Sequence, residues 1–315
     1  MSEKEYLSTP ASWDIFPPWG FMPQDNLAAA AKTVPPPDWI GGQSSFLKWR
    51  NDTLQFIQDS IWPVFDPQSM SWTGKSVPTM KALTIADLDL LRNLYTSSPD
   101  PLTLPISAPA GLPPRPTQQA LFQDEDVMVP KWGRFFRNYD RSLSDSDVLD
   151  LLAIFKAAYL GKVNSILWLK TKLQRPRPWQ MAMILGYSDF ACYEALSADT
   201  PSMVCGHCSQ ALLALGGVME DRIRTGTSMT SANWGALQQL AVDIGDRRVL
   251  ARVHYPSDSI ASWIMILKMS EFIFAYPKVK DLLKDAIMTK SIVYKLIQQS
   301  GGSIYQPMLD AVARA

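Results

Sequence analysis

The uneven distribution of proline constrains the fold of this chain more than any other feature. Eighteen of the 24 prolines lie in residues 1–130, many of them between Pro99 and Pro116. Because proline breaks helices and favours turns, we expect loops around a few helices here, at 44–61 and 85–96. The sequence therefore predicts a Pro- and Trp-rich N-terminal region at 1–130 and a helical core at 131–315.

The N-terminal region is also rich in tryptophan, which argues against disorder because disordered segments are poor in aromatic residues. We interpret it as a layer packed on the helical half. An aromatic wall for an apolar substrate is the less favoured interpretation, since buried tryptophans belong mostly to cores. The residues concerned are Trp13, Trp19, Trp39, Trp62 and Trp72.

From residue 144 the pattern has a helical period. Ser144 and the residues after it form a capping segment, and apolar residues then recur three or four positions apart as far as Leu169. No stretch alternates like a set of strands, so we predict an all-α helical bundle. Further helices are predicted at 209–222, 232–243, 256–274, 279–299 and 305–313.

Composition limits the partners and the location. Thirty basic and 30 acidic residues balance, so no net charge favours nucleic acid or an anionic membrane surface. The polar N-terminus lacks the apolar segment of a signal peptide, and three cysteines fit a reducing compartment. Lys268 and Glu271 interrupt the apolar run at 260–276, so a buried core helix is favoured over a transmembrane segment. We expect a cytoplasmic protein without a membrane span.

The chain has only two histidines, and the first follows a glycine at the start of a predicted helix. The sequence there is Cys205-Gly206-His207-Cys208. A glycine lets backbone N–H groups approach a ligand closely, and a helix start carries unpaired donors. This segment is therefore an anion-site candidate.

The second histidine, His254, is separated from Arg248 by five residues and from Asp258 by three. A proline at 256 predicts a helix start, which would place Asp258 in the first turn, close to the imidazole. An aspartate on one ring nitrogen presents the other nitrogen as a nucleophile. Upstream, Lys170 and Arg177 are separated by six residues and add two cations.

These three segments resemble the superfamily of type 2 phosphatidic acid phosphatases, class A acid phosphatases and vanadium haloperoxidases. The resemblance rests on Lys-x6-Arg-Pro, Gly-His and Arg-x5-His-x3-Asp, in that order, and spans about residues 145–270. Two positions differ, because Cys205 and Arg247 stand where the family usually has serine. A thiol is a weaker donor than a hydroxyl.

The resemblance implies a soluble phosphatase for a small phosphorylated substrate, either a monoester or a diphosphate. His254 would form a phosphohistidine, Asp258 would orient it, and His207 would protonate the leaving group and then activate water. No metal or other cofactor is implied. The tryptophans point weakly to an apolar or prenyl-like substrate group. The implied phosphate-binding residues are Lys170, Arg177, Arg248, Gly206 and Cys205.

Alternatives stay open at this point. The same anion site serves a haloperoxidase, with vanadate bound through His254 and peroxide oxidising halide. A binding protein with a degenerate site is the third hypothesis, because of Cys205. Homo-oligomer formation is also open. Three further arginines, Arg175, Arg247 and Arg252, are interpreted as surface or supporting charges.

The two cysteines around Gly206-His207 also match a disulfide isomerase redox motif. That chemistry needs a lowered thiol pKa at a helix start, together with a preceding tryptophan and neighbouring strands. Here Met203 and Val204 precede the pair instead of a tryptophan, and the neighbouring segments are predicted to be helical. A zinc site is less favoured still, because one histidine between two cysteines in a tight turn chelates a metal poorly.

Overall fold

The computed structural model describes residues 64–66, 71–73, 77–96, 175–193, 201–300 and 302–315, with isolated positions elsewhere. α-Helices make up most of this part of the chain, which confirms the predicted all-α class. Apart from single positions, the helix predicted at 44–61 and the segment of helical period from 144 to 169 lie outside the described residues. So do Trp13, Trp19, Trp39 and Trp62.

Eight helices and a short ribbon are described. The helices are α1 (Val77–Thr96), α2 (Pro178–Ile184), α3 (Gly206–Arg224), α4 (Ser231–Leu250), α5 (Pro256–Ile273), α6 (Pro277–Lys290), α7 (Ile292–Ser300) and α8 (Gln306–Arg314). The ribbon pairs β1 (Val64–Asp66) with β2 (Ser71–Thr73) in antiparallel register, Phe65 opposite Trp72. The sequence did not predict this ribbon.

Helix α5 lies at the centre of the core. It contacts α1, α3, α4, α6, α7 and α8. From Pro256 to Leu267 its side chains are buried on all faces, including Ile260 and Trp263, whereas Glu271 in the last turn is exposed. A helix that is apolar all round must be covered on every side, and here other helices cover it. The expected buried core helix is confirmed, and none of the described helices has the length and apolarity needed to cross a membrane.

Helices α3 and α4 approach each other closely at Gly245. A Cβ added there would lie 2.8 Å from the Cβ of Cys208. Real Cβ atoms do not tolerate that separation, so the contact requires glycine. This approach places the last turns of α4 against the first turn of α3.

Two helices are longer than predicted. Helix α1 begins at Val77 rather than at 85, with a proline in its first turn. Helix α4 ends at Leu250 rather than at 243, so Arg247 and Arg248 lie in its last turn. Cations are favourable there because the helix dipole places partial negative charge at the C-terminus.

The single helix predicted at 279–299 is wrong, because the chain forms α6 and α7 with a break at Ser291. The Ser291 hydroxyl accepts the N–H of Tyr294 at 3.0 Å and donates to Asp246 at 2.8 Å. Asp246 also accepts the N–H of Ile292 at 2.7 Å. A carboxylate on α4 therefore caps α7, a tertiary contact that no local residue pattern reveals.

Candidate active site

His254 lies in the turn that joins α4 to α5. Arg252 has a left-handed φ of 63°. Its N–H donates to the carbonyl of Val249 at 2.8 Å, and Val253 N–H donates to the carbonyl of Arg248 at 3.2 Å. These two bonds form the Schellman motif that ends many helices. The five residues between Arg248 and His254 therefore complete the end of α4 and form the turn that leads to His254.

An arginine occupies the left-handed position at which glycine is usual. For a residue with a Cβ this conformation costs about 1–2 kcal/mol. The side chain of Arg252 offsets that cost, since its Nε donates to the carbonyl of Ala191 and its guanidinium lies 5.4 Å from the Tyr193 ring centroid. Arg252 is buried, so it is a supporting charge rather than a surface charge.

Asp258 occupies the third position of α5, as the proline at 256 predicted. Its Oδ2 accepts the N–H of Tyr255 at 3.0 Å, which satisfies one of the free donors at the helix start. The same oxygen lies 3.0 Å from Nδ1 of His254. With three residues between them, the carboxylate of Asp258 that caps α5 can also reach back to the imidazole of His254.

The contacts of His254 identify its tautomer. Nη1 of Arg177 lies 2.9 Å from Nε2 of the imidazole. A guanidinium has only donors, so Nε2 must accept and the ring proton is on Nδ1, facing Asp258. Burial and the charge of Arg177 lower the pKa of His254 well below its usual value, although Asp258 opposes them. The ring is neutral, with its lone pair on Nε2.

Asp258 remains ionised despite complete burial. Burial opposes its ionisation, but the charge of Arg175 and the hydrogen bond of His254 outweigh it and hold the pKa of Asp258 below the usual range. Nη1 of Arg175 lies 2.9 Å from Oδ1. The hydroxyl of Ser202 donates to Oδ2, the oxygen that also faces His254.

The loop containing Arg175 and Arg177 is buried and not exposed to solvent. Arg175 is 0% exposed, and its guanidinium lies 3.8 Å from the Tyr255 ring centroid. It is therefore a supporting charge and not a surface one. Arg177 is also buried, and its Nη1 donates to the carbonyl of Val253 at 2.8 Å. Its own N–H donates to Oε1 of Gln180, which fixes the start of α2.

Lys170 contacts the loop that leads into α3. Its Nζ donates to the carbonyls of Pro201 and Ser202, the latter at 3.2 Å. It is buried, and its charge adds to burial and Arg177 in lowering the pKa of His254. Lys170 therefore lies near His254 and orders the loop before Gly206.

Cys205 is the N-cap of α3, but its thiol makes no capping hydrogen bond. Its carbonyl accepts the hydroxyl of Ser262 at 3.1 Å, and the same hydroxyl donates to the carbonyl of Asp258 at 2.9 Å. This bridge brings the N-terminus of α3 beside that of α5. Both helix starts present positive dipole ends, which favour an anion.

The thiol environment disfavours the redox interpretation. Cys205 and Cys208 are both buried, and burial raises the pKa of each. A redox cysteine needs the opposite shift. Within the described part of the chain, no group of three or more His, Cys, Asp or Glu side chains could hold a metal ion.

The remaining predicted residues lie around this centre. Gly206 and His207 are the first two residues of α3 and are partly exposed. A Cβ at Gly206 would meet its nearest neighbours at 3.7 Å, so packing within the protein does not require glycine there. Arg248 is buried, with its guanidinium 4.5 Å from the Phe122 ring centroid. Direct contacts join His254 to Asp258 and Arg177.

Sequence reasoning missed Asp87, which lies on α1 within the region assigned to the N-terminal layer. Asp87 is buried, and its Oδ2 lies 2.7 Å from Nη2 of Arg175. The hydroxyl of Tyr305 donates to its Oδ1 at 2.6 Å. A signal was present, since Asp87 interrupts an apolar stripe that includes Leu83 and Leu91, four residues away on either side. A carboxylate in such a stripe needs a buried partner.

Compared with known proteins, this chain matches no family model, no curated protein and no solved structure.

Proposed function

We propose that this chain is a phosphohydrolase that acts on a phosphate monoester or diphosphate through a phosphohistidine at His254. One observation carries the proposal. His254 is buried and neutral, with Nδ1 on an ionised aspartate and the Nε2 lone pair facing an arginine. Such a ring is a nucleophile directed at the place where an anion would be held.

In the proposed first step, Nε2 of His254 attacks phosphorus and the bond from phosphorus to the leaving oxygen breaks. Asp258 stabilises the positive charge that develops on the ring. Arg177 donates to Nε2 before attack. A phosphate would take over this donor, because charge-assisted bonds from a guanidinium to phosphate are stronger than a bond to neutral imidazole. Nε2 is then free to attack.

In the same step His207 gives a proton to the leaving oxygen. In the second step it takes a proton from water, which attacks the phosphohistidine, and the P–N bond breaks to release phosphate. The partial exposure of His207 at the start of α3 suits contact with water and with the leaving group. Lys170, Arg248 and the N–H groups of the α3 start would stabilise the phosphoryl oxygens.

The first experiment is turnover of p-nitrophenyl phosphate in the presence of EDTA. The reaction is then repeated with substrate that carries labelled phosphate and is quenched during turnover. We expect label on the protein in a bond that is labile to acid and stable to base, as a phosphoramidate is. His254→Ala should carry none. Release of phosphate by the wild-type chain without any acid-labile label would contradict the proposal.

His207→Ala is the matched variant, because the chain has no third histidine. It should accumulate label, since attack needs His254 and Asp258 but hydrolysis needs a base. It should also retain more activity on esters with good leaving groups than on unactivated esters. An equal loss on both kinds of ester would contradict the role of His207 as the acid.

Vanadate, bromide and peroxide provide a second assay. Halogenation without phosphate release would transfer the same residues to the haloperoxidase alternative, with vanadate on His254. Absence of both activities, with retained binding of inorganic phosphate, would favour the degenerate binding protein.

A further inference from the structure

A continuous chain of buried contacts connects the C-terminal helix to His254. The hydroxyl of Tyr305 donates to Asp87 at 2.6 Å, and Asp87 accepts Nη2 of Arg175 at 2.7 Å. Nη1 of Arg175 donates to Asp258 at 2.9 Å, and Asp258 lies 3.0 Å from Nδ1 of His254. These contacts link α1, the N-cap residue of α8 and the loop before α2 to the start of α5.

Arg175 is shared between two carboxylates, one on each side of its guanidinium. Ser257 adds a second link, because its hydroxyl accepts from Arg175 at 2.6 Å and donates to Asp87. The position of the guanidinium is therefore set from both ends. In a buried network, moving one member changes the bonds of the next, since no solvent replaces a lost partner.

We infer that Asp87 is a positioning residue for His254, acting through Arg175 and Asp258, and that Tyr305 in turn holds Asp87. Burial raises the pKa of Asp87, but the charge of Arg175 and the donated hydrogen bonds of Ser257 and Tyr305 oppose that rise and favour the carboxylate. With Asp87 as a carboxylate, Arg175 divides its charge between two partners, and Asp258 keeps a strong acceptor for the Nδ1 proton of His254. Without that charge, the guanidinium interacts with Asp258 as its only carboxylate partner. Oδ2 of Asp258, which faces the ring, then becomes a weaker hydrogen-bond acceptor. The chemical consequence rests on the proposed function, whereas the tautomer of His254 is measurable without it.

Two variants interrupt the chain, and each has a matched control. Asp87→Asn removes the charge, and Asp89→Asn makes the same change two residues away on α1, where the side chain is 54% exposed. Tyr305→Phe removes only the hydroxyl. Tyr294→Phe makes that same change at a buried tyrosine whose ring packs on Trp263.

The readout is the nitrogen NMR spectrum of protein labelled with ¹⁵N only in histidine. Two histidines give four ring signals, and His207→Ala assigns them. We expect the wild-type His254 to show a protonated Nδ1 and an unprotonated Nε2. Asp87→Asn should move both signals towards the mixture of tautomers, and Tyr305→Phe should move them the same way by less. The two controls should reproduce the wild-type spectrum.

Activity provides the second measurement. In Tyr305→Phe we expect kcat for p-nitrophenyl phosphate to fall about tenfold with KM unchanged, the scale seen when a group that orients a functional ligand is removed. If Asp87→Asn does not fold, Tyr305→Phe decides alone.

His254 signals in Tyr305→Phe that coincide with the wild type would overturn the inference, even if kcat fell, because the effect would then be structural only. A wild-type chain that releases no phosphate would instead refute the proposed function. The NMR comparison would still decide whether Asp87 sets the tautomer of His254.

Discussion

Two buried aspartates at two helix starts differ in the pKa of their carboxyl groups. Asp258 lies within the first turn of α5, and Asp246 caps α7 from outside, on α4. Each accepts at least one backbone N–H and a serine hydroxyl, and Asp258 also accepts from Nδ1 of His254. The pKa of Asp258 is held below its usual range, whereas that of Asp246 is raised to about 7.

The difference teaches that burial and hydrogen bonds do not by themselves keep a carboxylate charged. Burial raises the pKa of Asp246, the hydrogen bond of Ser291 only partly opposes it, and the charge of Asp243 adds to the rise. Asp258 has the same burial but also an arginine at 2.9 Å. Arg175 and the hydrogen bond of His254, neither of which Asp246 has, therefore account for the lower pKa of Asp258.

The largest expected effect comes from Asp258→Asn. Arg175 would lose one of two buried carboxylate partners, and breaking such a pair costs about 3–5 kcal/mol of stability. Phosphate release should fall about 10⁴-fold, because the ring is no longer held in the attacking tautomer. Urea unfolding and p-nitrophenyl phosphate turnover measure the two effects. A variant with wild-type turnover would remove Asp258 from the mechanism.

Asp246→Asn should change how stability depends on pH. The pKa of Asp246 rises from the ordinary 3.8 to about 7 on folding, so the folded state binds the extra proton between those values. Wild-type stability should therefore contain a fall of about 4 kcal/mol as pH rises from 4 to 7. The variant should lack this fall.

Urea unfolding of both proteins at pH 4.5 and pH 8 tests this, since the other groups cancel in the difference. The free energy of unfolding of the variant, relative to that of the wild type, should increase as pH rises. The contribution of Asp258 to stability depends on pH in the opposite direction. Because its pKa is lowered in the folded state, that contribution is lost only as the pH falls below the ordinary pKa of an aspartate. A constant difference between Asp246→Asn and the wild type would show that Asp246 keeps its charge.

Two glycine variants compare how tightly the protein is packed near Asp246 and at the candidate active site. Gly245→Ala, beside Asp246, should cost about 1–3 kcal/mol, because the new methyl group overlaps Cys208. Gly206→Ala, at the candidate active site, should leave stability unchanged or slightly higher, yet raise KM for phosphate esters by crowding the anion. Equal destabilisation in urea would show that both positions are packing positions.

The smallest effects are expected from the serines that donate to the two carboxylates. Ser202→Ala and Ser291→Ala should each cost about 1 kcal/mol. Loss of the Ser291 donor should raise the pKa of Asp246 further, so stability should keep falling to higher pH. Ser202→Ala should leave the pH dependence between 5 and 8 unchanged, because Arg175 still holds Asp258 ionised. Identical pH profiles for the two variants would contradict the role given to the cation.

Much of the local geometry around His254 could be predicted from the sequence. The proline at 256 indicated a helix start, and this placed Asp258 beside the imidazole, as observed. The chemistry assigned to His254, His207 and the phosphate-binding cations stays a prediction. The sequence left Arg175 as either a surface or a supporting charge, and only the structure shows that it is a buried supporting one. A single arginine in a loop gives no local sign of the two carboxylates that surround it.

What the sequence determined by itself was the helical class, the buried character of α5 and the reach of Asp258 to His254. These depend on residues within a few positions of one another, and helix periodicity and capping act over that range. Only the tertiary structure decided that Asp87 joins Arg175 and that Asp246 breaks the predicted helix at Ser291. Each depends on a carboxylate from a distant helix, and burial makes such a partner decisive because no water can replace it.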